Sequence, residues 1–140
     1  QLRQDDFFKA PADALLDAPP GVSCPAVNAV IDSDLIVLVT APTPFGVFDL
    51  RLAHQAFAPL NKPMGVVVNR AGLGNDEVYR FCREAGLPDF ARIPYDRAIA
   101  EAYAAGMVIA RSTKQLEALF MDLAHTLRRA LAEHQEARHA

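Results

Sequence analysis

The stretch Leu35-Ile-Val-Leu-Val-Thr-Ala-Pro-Thr-Pro-Phe-Gly46 decides the fold. Its first five residues form a continuous, β-branched-rich run, the pattern of a strand covered on both faces in a parallel sheet. Thr40 closes the run. Thr43-Pro44 then places an N-cap residue before a proline whose fixed φ suits the first helical position. Val47, Leu50, His54 and Phe57 fall on one stripe of the following helix, and Lys62-Pro63 ends the unit. The same order recurs downstream. Met64-Gly-Val-Val-Val68 is a second buried strand, ending in Asn69. Gly72 and Gly74 mark a loop, and Asn75 can cap a helix carrying Val78, Phe81, Cys82 and Ala85. Gly86 and Pro88 stop that helix.

Further out the pattern holds. Residues 90–93 predict a short strand that Pro94 ends, and Ile99, Ala102 and Tyr103 a short helix before Gly106. Ser112 and Gln115 have capping-box spacing. Leu116, Leu119, Phe120, Leu123, Leu127 and Leu131 trace one face of a long helix. From Glu133 the chain turns polar, so residues 134–140 are expected to fray, like residues 1–11. Upstream, residues 14–16 form a short apolar run into Asp17. Ala18-Pro-Pro-Gly21 cannot lie in a helix or a central strand. Asp17 is therefore expected where a strand runs out into a loop. Pro25 opens a helix with Val27, Val30 and Ile31 on one face.

Strands alternating with helices across short connections predict an α/β fold with a mainly parallel sheet flanked by helices. Right-handed crossovers put the loops after the strands on one rim, where open α/β sheets bind ligands. That rim holds Asp17, Gly21, Thr40, Asn69 and Pro94.

Composition narrows the function. A net charge of −3 on 140 residues, with scattered Lys and Arg, gives no basis for nucleic-acid binding. No apolar run approaches the roughly 20 residues of a membrane span. The two cysteines, Cys24 and Cys82, lie far apart and outside any CxxC. They cannot build a zinc or iron–sulfur site within one chain, and the composition suits a reducing, cytoplasmic setting. The histidines lack metal-ligand spacing, and Gly72-Leu-Gly74 lacks the third glycine of a dinucleotide fingerprint.

An aspartate at a strand end followed by a glycine loop can orient a metal-bound water and let a backbone N–H approach a phosphate. By itself, an aspartate before two prolines is as well explained by turn capping. Its company adds more. Asp17-Ala-Pro-Pro-Gly-Val-Ser-Cys-Pro25, Leu35 to Gly46 with Asp49, Gly65-Val-Val-Val-Asn-Arg70 and Ile93-Pro-Tyr-Asp96 occur in that order. This string resembles the MinD/ParA/Mrp group of deviant-Walker P-loop ATPases over residues 13–111. It is most similar to the branch that carries an inserted two-cluster ferredoxin domain. The resemblance implies that Asp17 is the switch-II aspartate, reaching Mg²⁺ through water, and Gly21 the switch-II glycine. Asn69, with Arg70 beside it, would meet the adenine base, and Pro94, Tyr95 and Asp96 would lie along base and ribose. Asp49 would sit near a homodimer interface and its signature lysine. Each has a plainer reading: Asn69 as a strand terminator, Asp49 as a solvated carboxylate favoured by a helix dipole. By analogy with the related nitrogenase iron protein, Cys24 could ligate a cluster shared between subunits. The plainer reading is a small buried residue at a helix start, and no second ligand stands on this rim.

The departures matter as much. A Walker A loop should precede Asp17 by a long stretch, yet 16 residues precede it and no GKT or GKS occurs anywhere. The cysteines of the ferredoxin insert, with their 4Fe-4S clusters, are absent, and Ala41 replaces a residue often polar or acidic. The chain also begins at Gln1 rather than Met. These features lead to the expectation of the C-terminal half of a P-loop ATPase domain, lacking the Walker A strand. The parent would bind ATP and Mg²⁺, dimerise and associate with iron–sulfur clusters, while the chain alone would hold no cofactor and be inactive. The rival expectation is a degenerate, non-catalytic P-loop module that docks to a protein partner. The missing strand should leave a gap between residues 14–16 and residues 35–39. Direct closure, residues 1–11 or a second chain would fill it.

Overall fold

The computed structural model describes residues 13–139. Helix α1 spans Cys24–Ile31, strand β1 Ile36–Thr40, helix α2 Pro44–Phe57, strand β2 Met64–Ala71, helix α3 Glu77–Ala85, strand β3 Asp89–Pro94, helix α4 Arg97–Ala104 and helix α5 Lys114–His139. Single 3₁₀ turns at Ala58–Leu60 and Ile109–Arg111 punctuate the chain. Among the described residues the sheet has three strands in the order β1-β2-β3, all parallel, with Ile36 opposite Met64 and Val67 opposite Ala91. The predicted α/β architecture is present.

The elements form for the reasons their sequences give. Thr43 caps α2, its hydroxyl oxygen accepting from the Gly46 N–H at 3.1 Å, and Pro44 occupies the first turn. Val47, Leu50 and Phe57 turn inward onto Ile36, Leu38, Val66 and Val68, and Val78, Phe81 and Cys82 of α3 complete this core. Val66, Val68 and Val78 are fully enclosed, each contributing about 1.5–3 kcal/mol of burial. His54 packs edge-on to Phe81 with ring centroids 5.8 Å apart, tying α2 to α3. Val67 and Gly65 look to the opposite face. A β-carbon on Gly65 would stand 2.3 Å from the Phe90 ring, so only glycine admits that ring. Helix α5 packs against β3 with Leu116 buried. Lys62 holds the end of α1, donating to the carbonyls of Ile31, at 2.6 Å, and Ser33.

Three expectations are corrected. Residues 14–16 form no strand: residues 13–19 carry no regular structure, and Leu15 and Leu16 are 90% and 51% exposed. A lone apolar tripeptide gains no ladder without a neighbouring strand, and none pairs with it here. The direct closure of residues 14–16 onto β1 therefore does not occur, and the other filler, residues 1–11, lies outside the described residues. Second, β1 is not covered on both faces. Ile36, Leu38 and Thr40 are buried, but Val39 is 66% exposed, because β1 is an edge. Third, Thr113 rather than Ser112 meets the first turn of α5, accepting from the Leu116 N–H at 3.2 Å. Helix α5 runs on past Glu133 to His139, with Arg129 and Glu133 paired one turn apart. No described helix is long and apolar enough to cross a membrane.

Candidate functional site

The carboxyl ends of β2 and β3 build the rim that the sequence points to. Val68 pairs with Arg92 and Ala71 with Pro94, so β2 has one residue more than β3 in this interval. Asn69 and Arg70 fall there, both exposed. Asn69 Oδ1 accepts from the Arg70 N–H at 2.9 Å. The Tyr95 N–H donates to the Ala71 carbonyl at 2.9 Å, which fastens the loop after β3 to the end of β2. Asp96 caps α4, its Oδ1 accepting from the Ala98 N–H at 2.8 Å. Asn69, Arg70, Pro94, Tyr95 and Asp96 thus gather on two adjacent strand ends, with Tyr95 presenting a half-bare ring.

The neighbouring loop is pinned to this one. Thr40 is buried and its hydroxyl donates to the Gly46 carbonyl at 2.9 Å. Gly74, at φ 75, brings its α-carbon so close that a β-carbon would lie 1.8 Å from the Pro42 oxygen. The loop after β2 therefore rests on the loop after β1. Sequence reasoning missed this contact, although Gly72-Leu-Gly74 carried the signal, and it missed the irregularity at Asn69.

The other candidates stand apart. Asp17 is exposed in the irregular segment, outside the sheet. Gly21 has φ 85 and open space around its α-carbon. Cys24 is exposed at the first residue of α1, not buried as its plainer reading had it. Asp49 is exposed on α2, between the bare rings of Phe45 and Phe48 and the side chain of Leu52. Cys82 is core, as the helical spacing predicts; burial, then the charge of Asp89, pushes its thiol up. Among the described residues no three His, Cys, Asp or Glu side chains converge. Two clefts lie elsewhere. One, of about 350 Å³, sits at the amino end of the strands between Ser33, Asn61, Lys62 and His134. The other, of about 460 Å³, runs between β3 and α5.

Among solved structures, the chain is similar to the cell division ATPase MinD of Pyrococcus furiosus. The TM-score is 0.64 at 24% sequence identity, covering 81% of this chain and 50% of that one. The fold is that of part of a P-loop NTPase. In sequence, the chain is 36% identical over 93 residues to Uncharacterized protein MJ0579 of Methanocaldococcus jannaschii, covering 66% of this chain and 31% of that protein. It is 33% identical over 61 residues to Uncharacterized protein MJ0578 of the same organism, covering 44% and 22%. No protein-family model matches. The chain thus spans about a third or less of these curated relatives. In open α/β sheets the loops that follow the strands lie at the edge where ligands are held.

Proposed function

We propose that the chain is the C-terminal portion of a MinD/ParA-like ATP-binding protein and supplies its switch-II and adenine-binding elements. One observation carries the reading: Asn69 stands at the end of β2 beside the Pro94–Tyr95–Asp96 loop, fastened to it through the Tyr95–Ala71 hydrogen bond. An exposed asparagine amide offers one donor group and one acceptor side by side, the complement of adenine's amine and ring nitrogen. Tyr95 gives a ring against which a base or ribose can lie.

The phosphate end is different. Phosphates in this class are held by backbone N–H groups and a lysine of a glycine-rich loop, and the sequence has no GKT or GKS. Among the described residues no cluster of His, Cys, Asp or Glu forms around the exposed Asp17, and one carboxylate gives too few oxygen ligands to hold Mg²⁺ without phosphates or further groups. The described residues therefore fit the base and not the metal. In the proposed parent, Asp17 and Gly21 act as switch II once the phosphate loop is alongside, Asp49 lies near the homodimer contact, and hydrolysis belongs to the assembled cytoplasmic protein. Association with 4Fe-4S clusters extends the resemblance to the ferredoxin-bearing branch. Cys24 alone is assigned no cluster.

Calorimetric titration tests the reading. The 140-residue chain is expected to bind MgATP weakly or not at all, because only base contacts remain. Low-micromolar, Mg²⁺-dependent binding would overturn this division of the site. In the intact parent, Asp17→Asn should abolish turnover while changing nucleotide affinity far less. A variant that hydrolyses ATP at the parent's rate would remove Asp17 from switch II.

A second reading, a non-catalytic module that docks to a protein partner, draws on the exposed apolar side chains of Val39, Phe45, Phe48 and Leu52. The sequence encoded immediately upstream separates the two. A glycine-rich GKT loop there supports the ATPase, and a start codon adjoining Gln1 supports the module.

A further inference from the structure

We propose that the cleft between β3 and α5 is an interaction surface, and that its occupant is strand β1 of a second copy of this chain. The pairing needs no nucleotide and stands apart from the reading above.

The cleft, of about 460 Å³, follows the outer edge of β3 and is lined there by residues 90–92. Ala91 pairs with Val67 and Arg92 with Val68, so these two side chains look to opposite faces of the sheet. A cleft that meets both passes along the edge of the strand. That edge has no strand neighbour among the described residues, and an unpaired edge offers N–H and C=O groups to a further strand. The other wall is one stripe of α5, in which Ala118, Leu119 and Leu123 recur at helical spacing. With Phe90 they make the cleft mainly apolar. The charges of β3 do not block it. Arg92 pairs with Asp89 at 2.5 Å and lies over the Tyr79 ring at 4.3 Å, on the face that α3 covers. Pro94 closes the strand and has no N–H to give, so the ladder suits a short partner.

Strand β1 is that partner. It has five residues, its outer edge also lacks a strand neighbour among the described residues, and its Val39 is 66% exposed. Direction decides the fit. Val39 pairs with Val67 and Val67 with Ala91, so Val39 faces the same side of the sheet as Ala91, the side of α5. A second copy whose β1 runs parallel to β3 keeps that facing and brings Val39 into the cleft. An antiparallel β1 would turn over and present Ile36 and Leu38, which its own core already buries. Two β1 strands paired about a twofold axis would leave Val39 on its present open face, so less apolar surface would leave water. The contact is therefore heterologous. One copy's β1 enters the next copy's cleft, and every assembly still ends in one free strand and one free cleft.

Sedimentation velocity on the full chain tests the pairing with two variants, both at exposed positions. Val39→Lys spoils the strand and keeps the cleft. Ala118→Arg fills the cleft and keeps the strand. Wild type should form species that grow with concentration, and each variant alone should lose this association across the same range. An equimolar mixture of the two should give a dimer and nothing larger, because one intact strand then meets one intact cleft. A twofold β1 contact makes a different forecast, since Ala118→Arg would associate as wild type does. That result, a monomeric wild type, or a mixture that stays monomeric overturns the proposal. If circular dichroism shows that Ala118→Arg does not fold, Asp122→Lys on the same wall replaces it and must give the same pattern, alone and in the mixture.

Discussion

Gly74 shows how much one residue of the rim carries. A methyl group there would meet the Pro42 carbonyl oxygen at 1.8 Å, and φ is 75, so Gly74→Ala meets both a backbone clash and a disfavoured conformation. Neither neighbour is the flexible end of a side chain. The expected loss is on the order of 2 kcal/mol or more in urea unfolding, and an unchanged midpoint would show that the two loops are not in register. The cysteines differ by burial. Cys24 is exposed and Cys82 buried, with the Cys82 thiol pushed above the ordinary range of about 8.5 first by desolvation and then by Asp89. An aromatic disulfide reagent should therefore titrate Cys24 at once and Cys82 only on unfolding. The linkage has a definite sign. A thiol whose folded pKa is raised contributes fully below the unfolded value, and its contribution is lost as pH climbs through that value toward the folded one. Stability should fall above about pH 8.5, and Cys82→Ala should flatten that limb. The rim asparagine was legible in the sequence because a polar residue ended an apolar run. The left-handed Arg70 was not, since Asn-Arg is equally compatible with a regular strand end.

At the scale of elements, β1 is the exposed one. Its free edge has no strand neighbour among the described residues. Ile36-Val-Leu-Val-Thr40 contains no proline, lysine or bulge, the devices that blunt an edge. Val39 adds a 66% exposed apolar side chain beside that edge. The chain is expected to self-associate with rising concentration in sedimentation velocity, and Val39→Lys to shift it toward monomer without loss of helical signal. A monomer at every concentration would show that the edge is protected by something else. Strands β1, β2 and β3 and helices α2 and α3 were legible because each carries its own period and its own stop signal. Residues 14–16 misled because an apolar tripeptide becomes a strand only when a neighbour offers a ladder. That neighbour is a property of the sheet, not of Leu15 and Leu16. The start of α5 slipped by one residue because Ser112 and Thr113 are both competent caps. The hydroxyl of Ser112 instead donates to the Ile109 carbonyl at 2.7 Å.

For the whole molecule, bare apolar side chains stand at both ends of the sheet: Leu15, Leu16, Val22, Ile31, Val39, Phe45, Phe48 and Leu52 lie on the β1 side of the sequence, and Tyr95, Tyr103, Met107, Val108 and Met121 follow β3. On the β3 side, α5 packs on β3 and Phe90 on Gly65. Strands β1 and β3 each have a single strand neighbour among the described residues. One further consequence comes from the all-parallel sheet. Ile36 meets Met64 and Val67 meets Ala91, so each strand pairing spans more than twenty residues and neither can begin as a hairpin. Every ladder must wait for its crossover helix, and the entropy of closing those loops is lost before any sheet contact repays it. Strand β2, alone in having two neighbours, is where the growing ladders meet. The expected refolding is therefore slower than that of a helical bundle of equal length, with formation of β2 as the step that limits it.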